Sequence, residues 1–210
     1  FVALQTQVVP LIGVALYSVA SIAGQTAMSL IVDRIGLTGG GKKLISKRRV
    51  TAALITVFAV IVSALDRISL ASFSVLAVAL ATLAGALVGV QRALNGQINE
   101  YSKASFTTSL LNFFMGTSVL AIMLFVLLIF RGDAIVPLPS GPWWIYTGGI
   151  VGVIYIAFTS TIVQHLGVLT FTLFSVGGTL IGSLLIDVIA PTNGNIVSWY
   201  LVSGILMTYL

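Results

Sequence analysis

Residues 8–38, VVPLIGVALYSVASIAGQTAMSLIVDRIGLT, lie without a gap over residues 162–192, IVQHLGVLTFTLFSVGGTLIGSLLIDVIAPT. Carried back to Phe1, the register holds for 38 residues at an offset of 154. Eleven pairs are identical: Ala3/Ala157, Val9/Val163, Gly13/Gly167, Val14/Val168, Ser21/Ser175, Gly24/Gly178, Ser29/Ser183, Leu30/Leu184, Asp33/Asp187, Ile35/Ile189 and Thr38/Thr192. Two segments of this composition match by chance at about three positions, so an internal repeat is the better reading. Asp33 and Asp187 weigh most, being two of five acidic residues, each after Ser-Leu-x-x.

Around the repeat the chain is 58% hydrophobic and 7% charged, with a mean hydropathy of +1.14. A globular domain of that composition would not stay in water, which places the chain in the membrane class. The net charge of +5 comes from basic residues gathered between apolar runs. That placement is a topology signal and argues against a nucleic-acid partner. With no cysteine, no disulfide, thiolate nucleophile or sulfur metal site is available. One histidine and five scattered acids assemble no nucleophile and base pair and no metal cluster, so neither an enzyme nor a cofactor is expected. The expected partners are the lipid bilayer and a small-molecule solute.

A span needs about 20 apolar residues to cross about 30 Å of hydrocarbon at about 1.5 Å per residue. The apolar runs predict a stub from Phe1 to Val9 and helices over Leu11 to Val32, Arg49 to Leu65, Leu70 to Val90, Phe106 to Phe130, Trp143 to Val163 and Leu166 to Ile189. A last one starts at Ile196 and is cut at Leu210. Neither end reads as a natural terminus, which suggests truncation of a longer chain. The loop from Arg34 to Arg49 carries Arg34, Lys42, Lys43, Lys47, Arg48 and Arg49, and the loop after Val90 carries Arg92 and Lys103. If spans alternate, both loops share the cytoplasmic side, against Arg67 and Arg131 outside. The helix at Leu11 then runs inward and its copy at Leu166 outward, so the second copy is upside down. The expectation is an all-α, polytopic transmembrane bundle of two inverted-topology five-helix repeats, ten helices in the full protein. Residues 1–66 would end the first repeat and residues 67–210 would form the second.

At this point the residues resemble a known family. GALVGVQRALNGQINEYSKASFTTSLLNFFMGT, PWWIYTGGIVGVIYI and the paired endings GQTAMSLIVDRIG and GTLIGSLLIDVIA look like the drug/metabolite transporter superfamily, and within it the YdcZ-type inner-membrane exporters. The resemblance implies a ten-helix fold in a bacterial inner membrane and export of small organic molecules. The second copy departs from symmetry at Thr179, where the first has Gln25.

Gln25, Ser29 and Asp33 fall at i, i+4 and i+8, near one helix face, as do Ser183 and Asp187 in the copy. A polar stripe in lipid must face protein or water, which makes Gln25 and Ser29 candidates for a solute cavity. Asp33 and Asp187 are candidate coupling residues, although their place at helix ends favours a loop-fixing role, with Arg34 a ready partner. Gln91, Asn95 and Asn99 repeat the i, i+4, i+8 spacing, and Asn112 lies about two turns into the next span. Gln91, Asn95 and Asn112 join the cavity candidates, whereas Asn99 reads as a loop residue. Trp144 and Tyr155 complete that set, with belt anchoring the plainer reading of Trp143 and Trp144. His165 reads as a solvated turn residue. Gly85 and Gly89, Gly148 and Gly152, and Gly178 and Gly182 are each four apart and present smooth faces for helix packing.

Gly36 to Lys42, G-L-T-G-G-G-K, fits seven positions of a nucleotide P-loop. Lys43 then stands where Ser or Thr would bind magnesium, and a membrane helix replaces the strand, so no nucleotide is expected. The function expected is a secondary transporter working by alternating access between inverted repeats. A passive channel or a non-transporting membrane assembly protein are the alternatives. Long apolar runs at Val119 to Phe130 and Leu70 to Ala81 count against a channel.

Overall fold

The computed structural model describes residues 2–65, 74–131, 141–189 and 199–208, and among these every regular element is helical. In order they are α1 (Val2–Ile35), α2 (Lys47–Ala64), α3 (Val75–Ser102), α4 (Ser105–Arg131), a 3-10 turn (Trp143–Tyr146), α5 (Gly148–Leu166), α6 (Val168–Ile189) and α7 (Trp199–Thr208). Leu4–Ile35, Val75–Ser102, Ser105–Phe130 and Gly148–Leu166 are long and apolar enough to cross a membrane. Six such spans were expected. The difference lies in α2, which opens on Lys47, Arg48 and Arg49, and in α6, whose described apolar stretch is Val168–Gly182.

Local chemistry sets the ends. Ser46 is extended, and its hydroxyl accepts the Arg49 N–H at 3.3 Å, capping α2. Ser74 does the same for α3 through the Ala77 N–H at 3.4 Å. At its far end α3 stops on Lys103, left-handed at φ 53, whose N–H reaches the Asn99 carbonyl at 2.9 Å. The sequence reading ended this helix at Val90. No strong breaker stands between Gln91 and Ser102, so the helix runs on and carries Arg92 and Asn99 inside it rather than in a loop.

α1 is two helical pieces meeting at Gly13, not at Pro10, which sits within the helix. Gly13 has φ 77 and ψ 160, and Gly167, between α5 and α6, has φ 88 and ψ 161. This backbone region is open essentially to glycine alone. No described residue lies within 4 Å of a Cβ placed at Gly13, so Gly13→Ala is expected to cost only the conformational strain, about 1–3 kcal/mol. At Gly167 a Cβ would also meet Asp33 Oδ2 at 2.9 Å and Lys43 Cε at 3.2 Å. Gly167→Ala should therefore lower the apparent melting temperature in detergent further than Gly13→Ala.

α1 packs most extensively on α3, and glycines set the approach. A Cβ on Gly24 would overlap the Thr82 carbonyl, one on Gly85 the Ser21 carbonyl, and one on Gly89 would press on Met28 Cβ at 3.1 Å. Small residues let backbones come this close. Residue numbers rise together along this contact, so α1 and α3 run parallel. Arg92 against Tyr155 and Asn99 against Gln164 make α3 and α5 parallel as well. Ser29 against Thr172 and Asp33 against Val168 make α1 and α6 antiparallel. Two apolar clusters sit between these helices: Val8, Ile12, Tyr17, Ala20, Ala77 and Ala81 near one end, and Val32, Ala93, Val163 and Val168 near the other. α4 lies outermost, with Phe114, Leu120, Phe125 and Phe130 exposed, a surface suited to hydrocarbon.

Candidate functional site

The polar residues converge where α1 ends and α6 begins. A helix start leaves several N–H groups without partners and carries partial positive charge. Asp33, fully buried at 0% exposure, fills that need from another helix: Oδ1 accepts the Val168 N–H at 2.7 Å and Oδ2 the Leu169 N–H at 3.1 Å. The Arg49 guanidinium, 19% exposed in the first turn of α2, pairs with Oδ2. Arg34 is exposed, because consecutive helix residues point about 100° apart. One carboxylate thus ties α1, α2 and α6 together.

The glycine-rich loop closes over this clasp. The Lys43 N–H bonds the Asp33 carbonyl at 2.8 Å, and Lys43 Nζ bonds the His165 carbonyl at 3.1 Å. Gly36, Gly39 and Gly41 have φ of 77, 80 and 84, and a Cβ on Gly40 would overlap the Gln164 carbonyl. These glycines serve tight turns and close approach to α5. His165 is exposed on the last turn of α5.

One turn deeper lies a second constellation. Arg92, partly buried on α3, donates from Nη1 to Thr172 Oγ1 at 2.9 Å and from Nη2 to the Tyr155 hydroxyl at 3.4 Å. Its guanidinium sits over the Phe171 ring, 5.3 Å from the centroid, within cation–π range. Thr172 Oγ1 is 3.2 Å from Ser29 Oγ, which donates to the Gln25 carbonyl at 2.6 Å. Arginine can only donate and each hydroxyl has one proton, so the order of donation is fixed: Arg92 to Thr172, Thr172 to Ser29, Ser29 to Gln25. Both Ser29 and Thr172 are fully buried. The Gln25 side chain turns back along its own helix to Ser21 Oγ at 3.3 Å.

On the neighbouring face of α3 the amides bond to helices α4 and α5. Gln91 and Asn95 both donate to Asn112 Oδ1, at 2.8 and 3.3 Å, and Asn99 donates to Thr161 Oγ1 at 3.5 Å and Gln164 Oε1 at 3.3 Å. Asn95 is 3% exposed and Asn99 is buried with it, in the helix and not in a loop. Tyr155 joins the Arg92 constellation, but Trp144 does not: it is exposed in the 3-10 turn, edge-on to Trp143 at 6.2 Å. The side chains of Ser183 and Asp187 lie outside the described residues. A Cβ on Gly152 would meet the tip of Phe113 at 2.8 Å, whereas no described residue lies within 4 Å of one on Gly148, Gly178 or Gly182.

Sequence reasoning missed Arg92, Arg49, Thr172 and Phe171. The signal for Arg92 was present in the run from Gly85 to Asn99, apolar on one side and with no proline to end the helix.

The family model described as "Putative inner membrane exporter, YdcZ" matches residues 1–62 and 76–210. The chain belongs to this family. An exporter family is not an enzyme class, and its membrane setting agrees with the apolar helices. No curated protein and no solved structure matches the chain. In this YdcZ-family chain only residues 63–75 fall outside the match, so the Asp33 clasp, the Arg92 constellation and the amide face all lie within it.

Proposed function

We propose that the chain belongs to a secondary exporter that moves small organic solutes by alternating access between two inverted five-helix halves. The carrying observation is the pair α1 and α6. The piece of α1 after Gly13 aligns in sequence with α6, the two run antiparallel in contact, and each follows a glycine with the same rare backbone conformation. Inverted repeats of this kind can exchange two packings around one central site. The Asp33 clasp then joins the two halves at one mouth, and the hydroxyl chain of Ser29 and Thr172 marks the seam between them. Gln25, Ser29, Tyr155 and the amides Gln91, Asn95 and Asn112 would face the solute path, with Trp144 at the opposite mouth.

The clasp end faces the cytoplasm in this scheme, with the loop at residues 34–49 inside. With Arg92 moved into α3, that side holds Arg34, Lys42, Lys43, Lys47, Arg48, Arg49 and Lys103, against Arg67 and Arg131. The chain lacks cysteine, so single-cysteine labelling is clean. Gly39→Cys should react with a membrane-impermeant maleimide only from inside and Gly194→Cys only from outside; reaction from one common side would refute the inverted arrangement. For transport, reconstituted vesicles should show saturable flux and counterflow. Unsaturable flux would point to a channel, and no flux to an assembly protein.

A further inference from the structure

We infer that Arg92 is an oxyanion-binding residue and that the solute is a small organic anion; this rests on the transport reading above for the word solute, but not for the site. α3 is 28 residues, about 42 Å, and Arg92 lies ten residues from its end, about 15 Å along the axis. Centring a hydrocarbon layer of about 30 Å on this helix puts Arg92 about 9 Å inside it. A cation at such depth is costly, and the usual remedy is a carboxylate partner.

Among the described residues Arg92 has none. Asp33 is engaged by Arg49 and by the start of α6, and Glu100 is bound by Lys103 at 2.7 Å, two turns further along α3. What surrounds Arg92 instead is neutral: two hydroxyls and a ring face. They hold the guanidinium in place and, among the described residues, leave it without a counter-ion. Two of its five N–H groups are used, which leaves three to donate to an oxyanion. Tyr155 adds to this. Its oxygen accepts from Arg92, so its own proton is free for a ligand, and the residue is 45% exposed, open to an entering molecule. The shared chemistry is a carboxylate or a phosphate monoester on a small body.

The test uses the full chain, purified and in vesicles, with three probes of one shape: benzoate, phenyl phosphate and neutral benzamide. Thermal stabilisation and calorimetry should show saturable binding of at least one anion and none of benzamide. Arg92→Gln should weaken anion binding at least about tenfold, and Tyr155→Phe by a few-fold. Arg92→Lys, which keeps the charge but not the fork, should fall between, and it guards against a folding defect in Arg92→Gln. Equal binding of benzamide, unchanged binding by a folded Arg92→Gln, or no binding of either anion up to about 10 mM would overturn the inference. Arg92-dependent binding without flux would leave the site standing and remove the transport reading. Flux of neutral or cationic solutes insensitive to Arg92→Gln would do the reverse.

Discussion

Asp33→Ala is expected to remove about 3–5 kcal/mol of stability, the range seen when one partner of a buried ion pair is deleted. The cause is compound. The substitution leaves the Arg49 guanidinium mostly buried and unpaired, and it strips two acceptors from the first N–H groups of α6, where no water can replace them. Asp33→Asn keeps an acceptor but not the charge and should lie between wild type and Asp33→Ala. Arg49→Ala should cost less than Asp33→Ala, because Arg49 is closer to solvent and Asp33 keeps the α6 contacts. In the double variant the losses should not add, and the shortfall measures the pair. The readout is the apparent melting temperature in detergent together with the fraction of protein recovered as a single species. The same series separates two roles for Asp33. If Asp33→Asn folds and still supports proton-driven uptake, Asp33 is a clasp; if it folds and loses only the pH dependence of uptake, it is a coupling residue.

The second large effect concerns the α1–α3 seam. Gly24→Val and Gly85→Val are expected to abolish recovery of a monodisperse protein, equivalent to a loss above about 4 kcal/mol. At both positions the added carbon would overlap a backbone carbonyl of the facing helix, Thr82 for Gly24 and Ser21 for Gly85. A side chain can rotate out of the way, whereas a carbonyl within a helix can yield only if the whole helix moves. Gly89→Ala should be milder, since its nearest neighbour is the side chain of Met28. Gly116→Ala and Gly178→Ala are the controls. No described residue lies within 4 Å of a Cβ at either site, so the change should be neutral or slightly stabilising through helix propensity. Equal tolerance of Gly85→Val and Gly178→Ala would show that the α1–α3 contact is not the tight one.

Much of this protein is legible residue by residue. The apolar runs place α1, α4, α5 and α6 within a few residues of where they form, because a helix in hydrocarbon must satisfy its own backbone and only length and hydropathy are needed to see it. The polar periodicities at Gln25, Ser29 and Asp33 and at Gln91, Asn95 and Asn99 mark the faces that turn toward protein. Glycine spacing is a weaker guide. A Cβ on Gly85 or Gly89 would press on a neighbouring helix, and no described residue lies within 4 Å of one on Gly178 or Gly182, although the motif is the same, because a smooth face says nothing of whether another helix lies opposite.

The sequence by itself determined the membrane class, the helical elements, the internal likeness of residues 1–38 and 155–192, and the family, since each depends on residue identity and order alone. Only the tertiary structure decided that Asp33 answers to Arg49 and the start of α6 instead of Arg34, and that Arg92 lies within α3 beside Thr172 and Tyr155 instead of in a loop. Those pairings join residues up to 136 positions apart. Electrostatics and hydrogen bonding act over a few ångströms of space, and nothing local in the chain states which distant group will occupy them.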